Sequence, residues 1–199
     1  MSKTKSKTMT LVACALLVAL ATALSFVKLW ESPLGGAVTL FSMVPILMIG
    51  FLYGPSWGFA SAFVYSVLQL IFGLSTVAYV PTPAGIAACV LLDYIVPFTL
   101  LGISGFFRKK DKTTSLPLII AGSFTACAAR FLSHFLSGGI IWYEITKNGA
   151  WNDYVFKYSK WIYSLIYQAI YLVPETVLVL VATPAVIYII KTVSKNKVK

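Results

Sequence analysis

Four side chains able to carry charge lie inside long apolar stretches of this 199-residue chain: Asp93, Arg130, His134 and Glu175. Such groups are expensive in a membrane, so they usually face the interior of a helix bundle and serve a function. Their neighbours fall into stripes. Arg130, Ser133, His134, Ser137 and Gly138 recur at the spacing of one helix face, and Trp142 continues that face one turn further. Ser164, Gln168, Tyr171 and Glu175 form a second stripe, with Tyr163 and Tyr167 beside it. Asp93 and Tyr94 stand just before Pro97, whose missing N–H can free a backbone carbonyl. Together these stripes offer a carboxylate, an imidazole, an amide, hydroxyls and flat rings. That set suits a small, polar, aromatic ligand, including a cationic one: Asp93 can neutralise the charge and Trp142 can stack on a ring. Blander roles stand beside this one. Arg130 and Glu175 can simply pair, His134 can be a satisfied buried histidine, and Gln168 and Tyr163 can bond between helices.

The elements that must position these residues follow from composition. The chain is 59% hydrophobic and 11% charged, with a mean hydropathy of +0.86, against about 25% charged in soluble domains. An all-α integral membrane protein is expected, a single domain over 1–199, because lipid forces the backbone to satisfy itself and strand-like alternation is absent. Six spans are expected at about 9–29, 38–53, 56–74, 84–107, 116–141 and 161–190, near the roughly 20 residues a crossing needs. The second is short unless Gly35–Val38 joins it. The first is too long for a signal sequence and is read as retained. At 1.5 Å per residue, His134 and Gln168 lie about 10 Å below the outer surface, Asp93 slightly deeper, and Arg130 and Glu175 nearer the centre. Polar groups from three helices thus converge in the outer half of the bilayer.

The net charge of +10 does not indicate nucleic acid, because eleven of the sixteen Lys and Arg flank spans: Lys3, Lys5, Lys7, Arg108, Lys109, Lys110, Lys112, Lys191, Lys195, Lys197 and Lys199. They mark both termini and the "RKKDK" loop as cytoplasmic in a multi-pass cell-membrane protein. Three loops then face outward, and Trp30, Tyr79, Trp142, Tyr143, Trp151 and Trp161 fit an interfacial aromatic belt. Cys14, Cys89 and Cys127 lack metal or disulfide spacing, and no metal is expected. There is no GxxxxGK[ST], HExxH or GxSxG, so neither ATP hydrolysis by a P-loop nor a familiar hydrolase site is encoded. A proton-coupled carrier using Asp93, His134 and Glu175 as a relay is a rival reading. Ala15, Ala19 and Ala23, at four-residue spacing in the first span, allow close helix approach, either within the bundle or to another membrane subunit.

The stretches "LLDYIVPFTLLGISGFFR", "RFLSHFLSGGIIW", "YSLIYQAIYLVPE" and "GGAVTLFSMVPI" resemble the thiamine-specific substrate-binding subunits (S components) of energy-coupling factor transporters, the ThiT/YuaJ family. The resemblance runs over most of the chain. It implies a six-helix protein that captures thiamine from outside. It also implies assembly with a transmembrane coupling protein and two ATPase subunits, which hydrolyse the ATP, and a toppling motion for release. No cofactor of its own is implied, and no enzymatic activity. By the same resemblance Asp93 lies near the thiazolium, followed by Tyr94, and Arg130 fills a basic position. His134, Gly138 and Trp142 surround the pyrimidine, Tyr163 is a hydrogen-bonding tyrosine, Tyr79 matches a loop tyrosine, and Ala15 and Ala19 meet the coupling protein. The sequence departs from the family where "YQA" replaces the common "YNG", putting Gln168 in place of asparagine. Some relatives carry Glu at Asp93 and Lys at Arg130, and Trp30 only loosely matches a loop aromatic. A related vitamin or a pyrimidine precursor is the alternative ligand.

Overall fold

The computed structural model of the chain describes residues 3–32, 35–109 and 115–196. The cations Lys110, Lys112, Lys197 and Lys199, placed above on the cytoplasmic side, lie outside the described residues. The chain is nearly all helical. Helix α1 covers Lys3–Ser25, α2 Met43–Tyr53, α3 Pro55–Phe72, α4 Pro83–Phe107, α5 Leu116–Gly149 and α6 Lys160–Asn196. Five of these are long and apolar enough to cross a membrane; α2, with 11 residues, is not. At 1.5 Å per residue α2 is only about 17 Å long, half the hydrocarbon thickness.

That shortness corrects the expected second span over 38–53. A small antiparallel ribbon forms instead, β1 (Lys28–Glu31) against β2 (Ala37–Thr39). Strand-like alternation is absent from the sequence, yet these two short strands pair. Gly35 and Gly36 adopt φ of +89° and +88°, a conformation that glycine tolerates and that turns the chain back on itself. Gly36 also lies against the Tyr171 ring, where a Cβ would come within 2.7 Å. The pair therefore cannot extend α2.

Helix α2 is apolar all round and buried along nearly its whole length, as expected of a helix at the centre of a bundle. It meets α3 and α4 at a glycine junction. A Cβ on Gly105 would stand 2.5 Å from Pro55 Cα, and one on Gly102 2.7 Å from Phe59 N. Small residues let the three backbones touch, the usual way of packing helices when lipid removes the hydrophobic drive. Helix α1 packs against this core with one face. It buries Cys14, Val18 and Ala21, while Ala15, Ala19 and Ala23 are exposed. The alanine stripe therefore does not pack within the bundle.

Helices α4 and α5 are each interrupted once by a wider π turn, at Val90–Ile95 and Gly138–Trp142. Such turns recur at functional sites. In α4, the Val96 N–H bonds Leu91 O, five residues back. The next donor in that pattern would be residue 97, a proline, so Leu92 O is left without its helical partner. Ser133 Oγ of α5 donates to it at 2.7 Å. The carbonyl expected to be freed before Pro97 is thus used to tie α4 to α5.

Candidate functional site

A cavity of about 330 Å³ opens at the end of the bundle that carries the ribbon. It is bounded by α3, α4, α5, α6 and residues of the ribbon. Its polar side chains form two tiers, set by helix register.

The deeper tier is an ion pair with its own supports. Arg130 Nη1 donates to Glu175 Oε2 at 2.6 Å, and both side chains are buried. Thr39 Oγ1, at the end of β2, donates to Glu175 Oε1 at 2.6 Å and lies 2.6 Å from Ser42 Oγ. The Arg130 guanidinium also sits 4.7 Å from the centre of the Phe98 ring, a cation–π contact. A buried pair of this kind is strongly held once both charges are bonded, and costly to break by removing one member.

The shallower tier centres on Asp93. Trp142 Nε1 donates to Asp93 Oδ2 at 2.8 Å, Cys89 Sγ donates to the same oxygen at 3.3 Å, and His134 Nδ1 lies 3.3 Å from Oδ1. The two π turns bring this about, since Asp93 lies in one and Trp142 ends the other. No lysine or arginine bonds Asp93 among the described residues. Lys28 and Glu31 also line the cavity and pair at 2.5 Å. Counted formally with His134 neutral, its two cations cancel Glu31 and Glu175, and Asp93 leaves the lining with a charge of minus one.

The remaining walls are aromatic and polar. Tyr94 donates to Gly73 O at 3.1 Å. Tyr163 stacks on Tyr167 with ring centres 5.9 Å apart and donates to Thr146 Oγ1 at 3.4 Å. Tyr171 donates to Gln168 Oε1. Tyr167 donates to Gly35 O at 2.9 Å and accepts from Ser32 Oγ at 2.6 Å, pinning the ribbon to α6.

Asp93, Tyr94, Arg130, His134, Gly138, Trp142, Tyr163 and Gln168 therefore line one cavity, and Glu175 joins them. Tyr79 does not line it. Its ring is exposed and packs edge-on against Trp151 at 5.5 Å. The space beside Gly138 and its neighbour Gly139 is filled from α6. A Cβ on Gly138 would meet Ser164 Oγ at 2.3 Å, and one on Gly139 would meet the Trp161 ring at 2.3 Å. Their role is close helix approach. Sequence reasoning missed Thr39, Ser42, Tyr65 and Gln69, which also line the cavity. The signal for Tyr65 and Gln69 was present, because Tyr65, Gln69 and Gly73 share one helical face of an apolar span. Thr39 and Ser42 carried no such signal, since their stretch was read as helix.

The family described as thiamine transporter protein (Thia_YuaJ) matches this chain over residues 11–197. The thiamine transporter ThiT of Bacillus subtilis (strain 168) is 30% identical over 154 residues, covering 73% of this chain and 72% of that protein. A solved structure of ThiT from Listeria monocytogenes has a TM-score of 0.69, covers 96% of this chain and 97% of its own, and is 20% identical, which speaks for a shared fold.

Proposed function

This chain belongs to the thiamine transporter family, and from that premise we propose that it binds thiamine in the cavity beside Asp93 and serves its uptake. It is a multi-pass membrane protein. The observation that carries the reading is the unbalanced carboxylate. Thiamine is a permanent cation, a thiazolium joined to an aminopyrimidine, and the cavity holds one formal negative charge among aromatic rings. A volume of about 330 Å³ falls at the small end of ligand pockets, as a vitamin requires. In this reading Asp93 faces the thiazolium, held in place by Trp142, His134 and Cys89. Trp142 and Tyr163 present ring faces and edges, Gln168 and His134 offer polar atoms to the aminopyrimidine, and Arg130 with Glu175 shapes the floor.

The chain acts as the substrate-binding component of an energy-coupling factor transporter, without cofactor or catalysis of its own. Its termini are cytoplasmic and the cavity opens outward, as the flanking cations indicate. The exposed stripe of Ala15, Ala19 and Ala23 meets the transmembrane coupling protein, and two ATPase partners supply the energy. Purified chain should show tryptophan fluorescence quenched by thiamine, with pyridoxine a far weaker competitor. Folded protein that ignores thiamine would refute the substrate. Thiamine accumulation in liposomes without ATPase partners would favour the proton-coupled carrier.

A further inference from the structure

Three buried polar atoms on residues lining the cavity have no hydrogen-bond partner among the described residues: Gln69 Nε2, Arg130 Nε and His134 Nε2. Arg130 and His134 already belong to the site. Gln69 does not, and a buried donor left unsatisfied needs an explanation. Its place is well defined. One turn before it on α3, Tyr65 packs edge-on against Phe98 at 5.5 Å. One turn after it, Gly73 lies under the Tyr94 ring, where a Cβ would come within 2.3 Å. Tyr94 directly follows Asp93. Gln69 is therefore fixed on the Asp93 flank of the cavity, away from the α5–α6 flank of Gly138 and Gln168. The terminal torsion of glutamine is soft, so presenting the amide to the cavity needs no backbone movement.

We propose that Gln69 is a specificity-determining residue that donates from Nε2 to the hydroxyl oxygen of the thiamine hydroxyethyl arm. The assignment rests on the thiamine reading. Within it, the acceptor follows from chemistry. If Asp93 faces the thiazolium, Gln69 faces that same half of the ligand. The thiazolium nitrogen is quaternary and has no lone pair, and the ring sulfur accepts hydrogen bonds poorly. The hydroxyl oxygen is the one good acceptor on that half. A site built to bond a hydroxyl discriminates against an analogue lacking it, because its own donor is then stranded.

The test compares thiamine with the analogue carrying an ethyl arm in place of hydroxyethyl, using the purified full chain and Gln69→Leu. Wild type should bind thiamine about tenfold more tightly than the analogue, one good hydrogen bond's worth. Gln69→Leu should lose that factor for thiamine and bind the analogue as wild type does. Gln69→Met, which keeps the length without donors, takes its place if the leucine variant fails to fold. Equal losses for both ligands, or wild-type affinity for thiamine, would overturn the assignment. A wild-type chain that binds neither ligand would remove the thiamine reading itself, and this assignment with it.

Discussion

The two tiers of the cavity hold similar groups in opposite states of balance. In the deeper one, Glu175 has Arg130 at 2.6 Å and Thr39 at 2.6 Å. In the shallower one, Asp93 is bonded by Trp142 and Cys89, with His134 close by, and no guanidinium or ammonium bonds it among the described residues. In the first arrangement the protein itself supplies the counterion. The second orients a carboxylate while leaving its charge uncancelled. A buried charge can be structural when the protein supplies its counterion and functional when the ligand must. The two tiers should therefore fail differently.

The largest expected effect lies in the deeper tier. Glu175→Ala leaves Arg130 buried without its counterion and should lower stability by about 3–5 kcal/mol, read from denaturation in detergent. Replacing both members, Arg130→Met with Glu175→Leu, should recover most of that loss, because the cost lies in the stranded charge. If the double variant is no better than the single, the pair does more than balance itself. In the shallower tier, Asp93→Asn should keep the fold and lower thiamine affinity about a hundredfold, near 2.7 kcal/mol, by titration calorimetry. A large drop in stability instead would erase the contrast between the tiers.

Smaller changes sharpen the contrast. Gly138→Ala pushes a methyl against Ser164 and Gln168 and should cost about 1–3 kcal/mol of stability, with affinity falling as α5 and α6 separate. Trp142→Phe keeps a ring but removes the donor to Asp93. It should weaken thiamine binding by about tenfold, or 1.4 kcal/mol, with the melting temperature little changed. Tyr79→Ala, at an exposed ring outside the cavity, should leave affinity within about twofold, the smallest effect of the set.

Much of this architecture was legible in the sequence, because lipid makes each polar residue in an apolar run informative. Depth counted along helices placed Asp93 slightly deeper than His134, and both Arg130 and Glu175 nearer the centre, and the structure pairs those same residues. Pro97 indicated a freed carbonyl, and Leu92 O is that carbonyl. The ribbon was missed because its strands are only four and three residues long, too short for alternation to register. Gly35 and Gly36, which force the turn, sit beside an apolar run that looks helical. The π turns were missed because widening a helix by one residue leaves no mark in composition. They shift the register just enough for Trp142 to reach Asp93, a contact that straight helices did not suggest. Gln69 lies in a span without Asp, Glu, Lys, Arg or His to mark its face, although an amide within a span needs a partner just as surely.

Titration of wild type and Asp93→Asn with thiamine and with its aminopyrimidine half alone tests the central claim most directly. The account predicts that the substitution removes about a hundredfold of thiamine affinity, while binding of the uncharged aminopyrimidine changes several-fold at most. Equal losses for the charged ligand and its neutral fragment would contradict it, showing that Asp93 shapes the cavity without meeting the cation.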